Sequence, residues 1–89
     1  MKTGQDRIPD ELLREIFPKK LNRSFSTEQI YSHLKKKITS GKLKKGQKLL
    51  QEELAHGFRV SRVTVAIAFS RLKKDGLIVS KSGVGSFVV

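Results

Sequence analysis

The 89-residue sequence predicts a small α+β domain with three core helices, a C-terminal β-hairpin and an additional short helix near the N-terminus. Three observations favour this fold class. Apolar residues recur at helical spacing in successive segments of the chain. Two β-favouring runs joined by a glycine-containing turn close the sequence. The length allows a single core, because a typical domain has on the order of 100 residues.

The first predicted element is a short amphipathic helix over residues 8–17. Pro9 stands at its start and acidic residues follow in the first turn, where the helix dipole favours them. Four apolar side chains share one face: Leu12, Leu13, Ile16 and Phe17. Pro18 ends the helix. Residues 1–25 are interpreted as an N-terminal arm whose apolar face caps the domain's own core or pairs two protomers. Own-core packing is favoured because a short connector folds back at little entropic cost.

The main domain is predicted to span residues 26–89 and to begin with a helix. Ser26 and Gln29 have the spacing of a capping box. Apolar residues then follow at i, i+4 and i+8: Ile30, Leu34 and Ile38. This pattern predicts about four helical turns ending at Gly41. After a basic turn, Leu49 and Leu50 predict a brief strand.

Two further helices complete the predicted core. Residues 51–58 form the first of them, which turns three side chains inward and ends near Gly57: Leu54, Ala55 and Phe58. Ser61 is the N-cap of the last helix. Its core stripe has the spacing i, i+3, i+4, i+7: Val65, Ala68, Phe69 and Leu72. The opposite side carries different side chains: Arg62, Ala66, Ser70 and Lys73.

A β-hairpin is predicted at the end of the chain. Residues 77–81 and 85–89 favour strands, and Gly83 lies in the turn between them. Phe87 and Val89 are expected to anchor the second strand in the core.

The charge balance indicates a polyanionic partner. The chain has 19 Lys and Arg against eight Asp and Glu, a net charge of +11 and a pI near 10.4. Residues 59–89 carry six basic side chains and one acidic one. A solvated basic surface without a partner is the alternative, but solubility alone does not require such one-sided charge. Phosphate is therefore the favoured partner group.

Composition also excludes several classes of site. The absence of cysteine excludes disulfides and thiolate metal sites and is typical of a reducing compartment. No signal peptide is recognisable, and no apolar run approaches the roughly 20 residues that span a bilayer. We therefore expect a cytoplasmic protein.

Catalytic and cofactor chemistry are not predicted. His33 and His56 lack a neighbouring Asp or Cys at the spacing of a triad or a metal site. Gly41 and Gly46 imitate a phosphate-binding loop, but Gln47 stands where that loop needs lysine. The sequence thus predicts neither an enzyme nor a cofactor or metal.

The order of these elements, together with their local motifs, resembles the winged helix-turn-helix domain of the GntR-type bacterial transcription regulators. The resemblance runs from about residue 29 to residue 89. It rests on five ordered motifs: SGKLKKGQKL at 40–49, ELA at 53–55, VSRVTV at 60–65, DGLI at 75–78 and GVGSFVV at 83–89. The last of these fits the G-x-G-(S/T)-(F/Y)-V pattern of the family's wing.

The resemblance implies that the third core helix enters the DNA major groove with its N-terminal end leading. The predicted DNA-binding residues lie on that helix and on the wing: Ser61, Arg62, Val63, Thr64, Ala66, Ser70, Lys73, Lys81, Ser82 and Gly83. Three of them have ordinary structural alternatives. Ser61 also fits a plain N-cap, Arg62 a solvated side chain and Gly83 a simple turn residue. A cation at a helix N-terminus is disfavoured unless an anion approaches, which favours a DNA contact for Arg62.

The sequence departs from the family's usual pattern at three places. Ala66 stands where the family usually has an arginine that reads bases. Arg59 replaces the glycine that commonly precedes the VSR motif, and Gly57 is expected to supply the turn instead. Leu50 and Gln51 replace the more usual residues at the start of the second core helix. These departures bear on which DNA sequence is preferred, not on the fold.

The predicted function is sequence-specific binding of double-stranded DNA by a transcriptional regulator, a repressor, at an inverted-repeat site and as a possible homodimer. The alternative is a winged-helix protein for replication, partition or recombination of a mobile element. A protein-binding or RNA-binding module is a third possibility, for which an intact VSRVTV motif would be unnecessary. Family members normally carry a C-terminal domain that binds an effector and dimerises. The resemblance leaves open whether this sequence is a piece of such a regulator or a stand-alone protein.

Overall fold

A computed structural model describes residues 8–16 and 25–89. The elements follow in the order α1 (Asp10–Ile16), α2 (Thr27–Thr39), β1 (Lys48–Leu49), α3 (Gln51–Phe58), α4 (Arg62–Lys74), β2 (Ile78–Lys81) and β3 (Gly85–Val88). The strands form one antiparallel sheet in the order β1-β3-β2. The predicted α+β class, with a short extra helix before the three core helices, is confirmed. None of the helices within residues 8–16 and 25–89 has the length and apolar character of a membrane span.

Helix α2 begins at the capping box that the sequence predicts. The Ser26 hydroxyl accepts a hydrogen bond from the Gln29 backbone N–H at 3.2 Å, and the Gln29 side-chain oxygen accepts from the Ser26 N–H at 2.9 Å. These two bonds satisfy backbone donors that the first helical turn leaves free. The helix ends at Thr39, slightly before the predicted Gly41, whose φ of 86° turns the chain away.

The turn between α3 and α4 differs from the sequence prediction, which assigned it to Gly57. Gly57 lies inside α3, and Arg59 instead adopts the left-handed conformation at the helix end, with φ 60° and ψ 47°. The physical reason is positional, since the last carbonyls of a helix need donors from the residues directly after it. The N–H groups of Arg59 and Val60 donate to the carbonyls of His56 and Ala55 at 3.2 and 3.0 Å. A left-handed non-glycine residue costs roughly 1–2 kcal/mol, which the cap bonds offset.

The core lies between the three main helices and one face of the sheet. Phe58 and Phe69 are its largest members, and their side chains are almost fully buried. Ile8 and Ile16 are buried in the same cluster, so that α1 packs on α2. Within this chain residues 8–16 therefore pack on the domain's own core. The predicted positions of Phe17 and Pro18 lie outside the described residues.

The second strand of the hairpin is offset by one residue from the prediction. Ser86 and Val88 point into the core, whereas Phe87 is half-buried and Val89 is 58% exposed. Because side chains alternate between the two faces of a strand, an offset of one exchanges every inward and outward position. The pairing of Val79 with Phe87 and of Ser80 with Ser86 sets this register. The buried Ser86 hydroxyl lies 3.1 Å from the Ser80 hydroxyl and is thereby satisfied.

His33 should make the stability of the domain depend on pH. Its ring meets Phe25 edge-on at 5.2 Å, and burial lowers the pKa of His33 below the usual 6.5, with further lowering by Lys37 and Lys36. As the pH falls, the unfolded chain therefore takes up this proton first, and the free energy of unfolding decreases from about neutral pH down to the lowered pKa. Thermal unfolding of His33→Phe between these pH values should show a smaller decrease.

The exposed histidine of α3 provides the control for this experiment. His56→Gln also removes one histidine, and it should leave the pH dependence of the wild type in place. An equal decrease in His33→Phe and in the wild type would contradict the assignment to His33.

Candidate nucleic-acid interface

The N-terminal end of α4 presents two hydroxyl groups. The Ser61 hydroxyl accepts a hydrogen bond from the Thr64 backbone N–H at 3.2 Å, which confirms Ser61 as the N-cap. The two side-chain hydroxyls also lie 3.1 Å apart. Ser61 is exposed and Thr64 is half-buried. Both groups thus stand at the positive end of the helix dipole, which attracts anions.

Arg62 already has an anionic partner inside the protein. Its Nη2 donates to Oε2 of Glu52 at 2.7 Å, and the side chains are 67% and 77% exposed. The sequence argument took an external anion as the reason for a cation in this first turn. The structure corrects that argument, because Glu52 supplies an anion from the first turn of α3. The helix dipole alone is therefore no argument for a DNA contact by Arg62. The argument for such a contact is the exposure of its side chain.

The outer face of α4 combines exposed basic and polar ends with an apolar centre. Residues three and four apart share a helix face, and the sequence places six side chains on this one: Arg62, Val63, Ala66, Ile67, Ser70 and Lys73. Val63 and Ile67 are 68% and 49% exposed, and Ala66 is half-buried. The apolar face of the N-terminal arm would be an ordinary partner for Val63 and Ile67. In the described structure α1 packs on α2 and leaves both of them exposed.

The wing residues singled out from the sequence are all exposed. Lys81 ends β2, while Ser82 and Gly83 lie in the turn. Gly83 has a φ of 75°, a conformation that favours glycine, and the turn is closed by a 2.9 Å bond from the Val84 N–H to the Lys81 carbonyl. The Lys81 ammonium lies 5.6 Å from the ring centre of Phe87. The turn and its lysine are therefore both open to a partner.

A network that the sequence did not reveal ties α4 to α2. Arg71 donates to Glu28 at 2.5 Å, and its guanidinium lies 4.0 Å from the ring centre of Tyr31. The Tyr31 hydroxyl donates to the carboxylate of Asp75. The hydrogen bond with Glu28 raises the pKa of Arg71. This arginine therefore connects α4 to α2, and no sequence signal links positions 28 and 71 beyond their opposite charges.

Helix α1 forms ion pairs with two of the basic side chains of the domain. Glu15 of α1 accepts from Lys42 at 2.7 Å and from Lys37 at 3.4 Å, and these contacts lower the pKa of Glu15, Lys42 having the larger effect. Lys44 and Lys45 in the same basic turn remain exposed. Some basic side chains therefore form ion pairs within the domain, whereas others, such as Lys44 and Lys45, are exposed.

The sequence matches a known family over most of its length. The family described as "Bacterial regulatory proteins, gntR family" matches residues 26–88. An uncharacterized HTH-type transcriptional regulator of Mycobacterium tuberculosis is 33% identical over 61 residues, which are 68% of this chain and 25% of the relative. The uncharacterized HTH-type transcriptional regulator YdhC of Bacillus subtilis is 42% identical over 50 residues, 56% of this chain and 22% of YdhC. The chain spans about a quarter of the length of these relatives.

Solved structures share the fold. AraR(DBD), in complex with operator ORX1, superposes with a TM-score of 0.68 at 32% identity, covering 82% of this chain and 92% of that one. YtrA from Sulfolobus acidocaldarius, a GntR-family transcription factor, gives a TM-score of 0.68 at 31% identity, covering 82% and 79%. The described architecture is therefore the winged helix-turn-helix that the motifs predicted. Since the family match includes α2, α3, α4 and the hairpin, the chain belongs to the GntR family of bacterial regulatory proteins.

Proposed function

We propose that this domain binds double-stranded DNA sequence-specifically as a transcriptional regulator and acts as a repressor. The observation that carries the proposal is the outer face of α4, where exposed Arg62, Ser70 and Lys73 surround an apolar centre. Helix α4 contains no acidic residue, so that nothing on the helix itself repels phosphate. Repression requires only that the bound domain occlude a promoter. A chromosomal target would place the protein in the bacterial cytoplasm.

In the proposed complex α4 lies in the major groove with its N-terminal end towards the base edges. The groove is about 12 Å wide and admits one helix. Ser61 and Thr64 then approach phosphates or base edges, and Arg62 reaches a base. The wing turn with Lys81 and Gly83 follows the neighbouring backbone. AraR(DBD), which shares the fold, was solved in complex with an operator, and this supports DNA binding by the present domain. Two copies would occupy an inverted repeat with half-sites about one helical turn apart.

Selection of bound sequences from random duplex DNA tests this proposal directly. We expect one enriched motif. The logarithm of the affinity for this motif should fall linearly with the logarithm of the salt concentration, with a slope of about 0.9 per neutralised phosphate. The slope is read from anisotropy titrations between about 50 and 200 mM salt. A pool without enrichment, or an affinity that does not respond to salt, would contradict the proposal.

Ala66 should make the protein accept A·T pairs where relatives with arginine select guanine. Position 66 lies one turn beyond Arg62 on the same side of α4, so both face the groove floor together. A methyl group suits the thymine methyl, whereas arginine grips guanine with two hydrogen bonds. Ala66→Arg should therefore raise the affinity for guanine-containing half-sites by about 1–3 kcal/mol. If the new charge meets the backbone instead, the salt slope rises by about 0.9.

Repeating the selection with Ala66→Arg measures this change. Ala66→Met adds length without charge and is the matched control, which should not gain guanine preference. Identical selected sites and identical salt slopes in Ala66→Arg and the wild type would mean that position 66 does not meet DNA.

A further inference from the structure

One ion pair joins the two helices of the helix-turn-helix at their N-terminal ends. Glu52 lies in the first turn of α3, and Arg62 lies in the first turn of α4. Their 2.7 Å bond is open to solvent, with side chains 77% and 67% exposed. A carboxylate therefore stands beside the arginine that the proposed function assigns to a base contact.

Stability does not account for this arrangement. An ion pair between exposed side chains contributes little to folding, because water and salt screen it and both side chains lose freedom. A carboxylate at this position also carries a cost for DNA binding, since it repels nearby phosphates. A first-turn carboxylate also interacts favourably with the dipole of α3, but that effect does not require Arg62. The effect of the ion pair itself is therefore to be sought in the complex.

The chemistry of the guanidinium suggests what the carboxylate does. Arginine has five N–H donors in a planar fork, and the bond from Nη2 to Glu52 leaves the other donors available. Guanine accepts two such bonds at O6 and N7. The phosphate backbone would otherwise compete for the same charge, and phosphate contacts carry no sequence information. A guanidinium held by Glu52 is partly neutralised, so that it gains less from a phosphate.

We propose that Glu52 is the positioning residue that directs Arg62 to a base edge and away from the phosphate backbone. The inference rests on the proposed function and deepens it. Glu52 does so by orienting the guanidinium through its hydrogen bond and by lowering the gain from nonspecific phosphate contacts. Glu52 thereby increases the ratio of specific to nonspecific affinity while it decreases nonspecific affinity.

Glu52→Ala tests the inference in anisotropy titrations with the selected duplex and with a scrambled duplex, each over a salt series. We expect tighter binding to the scrambled duplex and a salt slope on it that is steeper by about 0.9. The ratio of specific to nonspecific affinity should fall about tenfold, within the discrimination of one bidentate contact. Glu52→Gln can still accept from Arg62 but lacks the charge, and its ratio should lie between those of Glu52→Ala and the wild type. In an Arg62→Ala background, Glu52→Ala should leave the ratio unchanged.

Glu28→Ala is the matched control. Glu28 is also an exposed first-turn glutamate paired with an arginine, but that arginine is Arg71, which packs on Tyr31. Its removal should change the affinity for both duplexes equally. If Glu52→Ala gives the same ratio and slope as Glu28→Ala while the wild type selects a sequence, the inference is overturned and the proposed function stands. A wild type that selects no sequence overturns both. The thermal unfolding midpoint of each variant is measured as well, to check that every variant is folded at the temperature of the titrations.

Discussion

Phe69→Ala is expected to lower the free energy of unfolding by about 3–5 kcal/mol. The Phe69 side chain is 1% exposed and belongs to the core cluster that α2, α3 and α4 enclose. Its removal takes away apolar burial and leaves a cavity that the surrounding helices fill only in part. A small domain has roughly 5–15 kcal/mol of stability in total, so this substitution removes a large fraction of it.

Urea unfolding followed by circular dichroism measures the loss. Ile67→Ala is the matched control, because Ile67 is an apolar residue of the same helix that is 49% exposed. We expect that control to change the free energy of unfolding by less than about 1 kcal/mol. Equal midpoints for the two variants would show that α4 does not bury the face described for it.

Arg62→Ala should lower the affinity for the selected duplex by about 1–3 kcal/mol while the domain stays folded. The side chain is 67% exposed and makes its ion pair at the surface, so the core is not disturbed. Thr64→Ala should act in the same direction and also removes the hydroxyl contact to Ser61. The measurement is anisotropy with the selected and the scrambled duplex, together with thermal unfolding.

Lys81→Ala is the comparison for Arg62→Ala. A wing lysine that meets phosphate should weaken binding to both duplexes about equally and lower the salt slope by about 0.9. Gly83→Val, the other wing variant, combines a loss of close approach with strain, because Gly83 has a φ of 75°. Unchanged affinity for the selected duplex in Arg62→Ala, Thr64→Ala and Lys81→Ala would refute the orientation proposed for α4.

The elements that could be predicted depend on neighbours in the sequence. Three of these features are the capping box of Ser26 and Gln29, the N-cap at Ser61 and the buried stripe of α4. In each of them the successive residues that interact are no more than four positions apart. Helix propensity, capping and amphipathic spacing act at this range. The family resemblance added the interpretation of the hairpin as a wing and of the N-terminal end of α4 as the end that enters the groove. The predicted site residues on α4 and the wing are half-buried or exposed.

The features that could not be predicted depend on the packing of distant segments. Strand pairing decides whether Phe87 or Val88 faces the core, because alternation alone permits either register. The end of α3 decides that Arg59, and not Gly57, takes the left-handed conformation. The same limit applies to the contact of Arg71 with Glu28, which are 43 positions apart.

Residue types and local spacing were sufficient to predict the fold class, the order of the helices, the N-caps of α2 and α4 and the basic character of the surface. Each of these follows from residue type and from spacing of a few positions. The ion-pair partner of Arg62 in the free domain depends instead on how α3 and α4 pack together. Glu52 precedes Arg62 by ten residues, and the two side chains meet only because the turn at Arg59 brings the first turns of α3 and α4 together. A contact across a turn depends on the relative placement of two helices, which packing sets and local spacing does not.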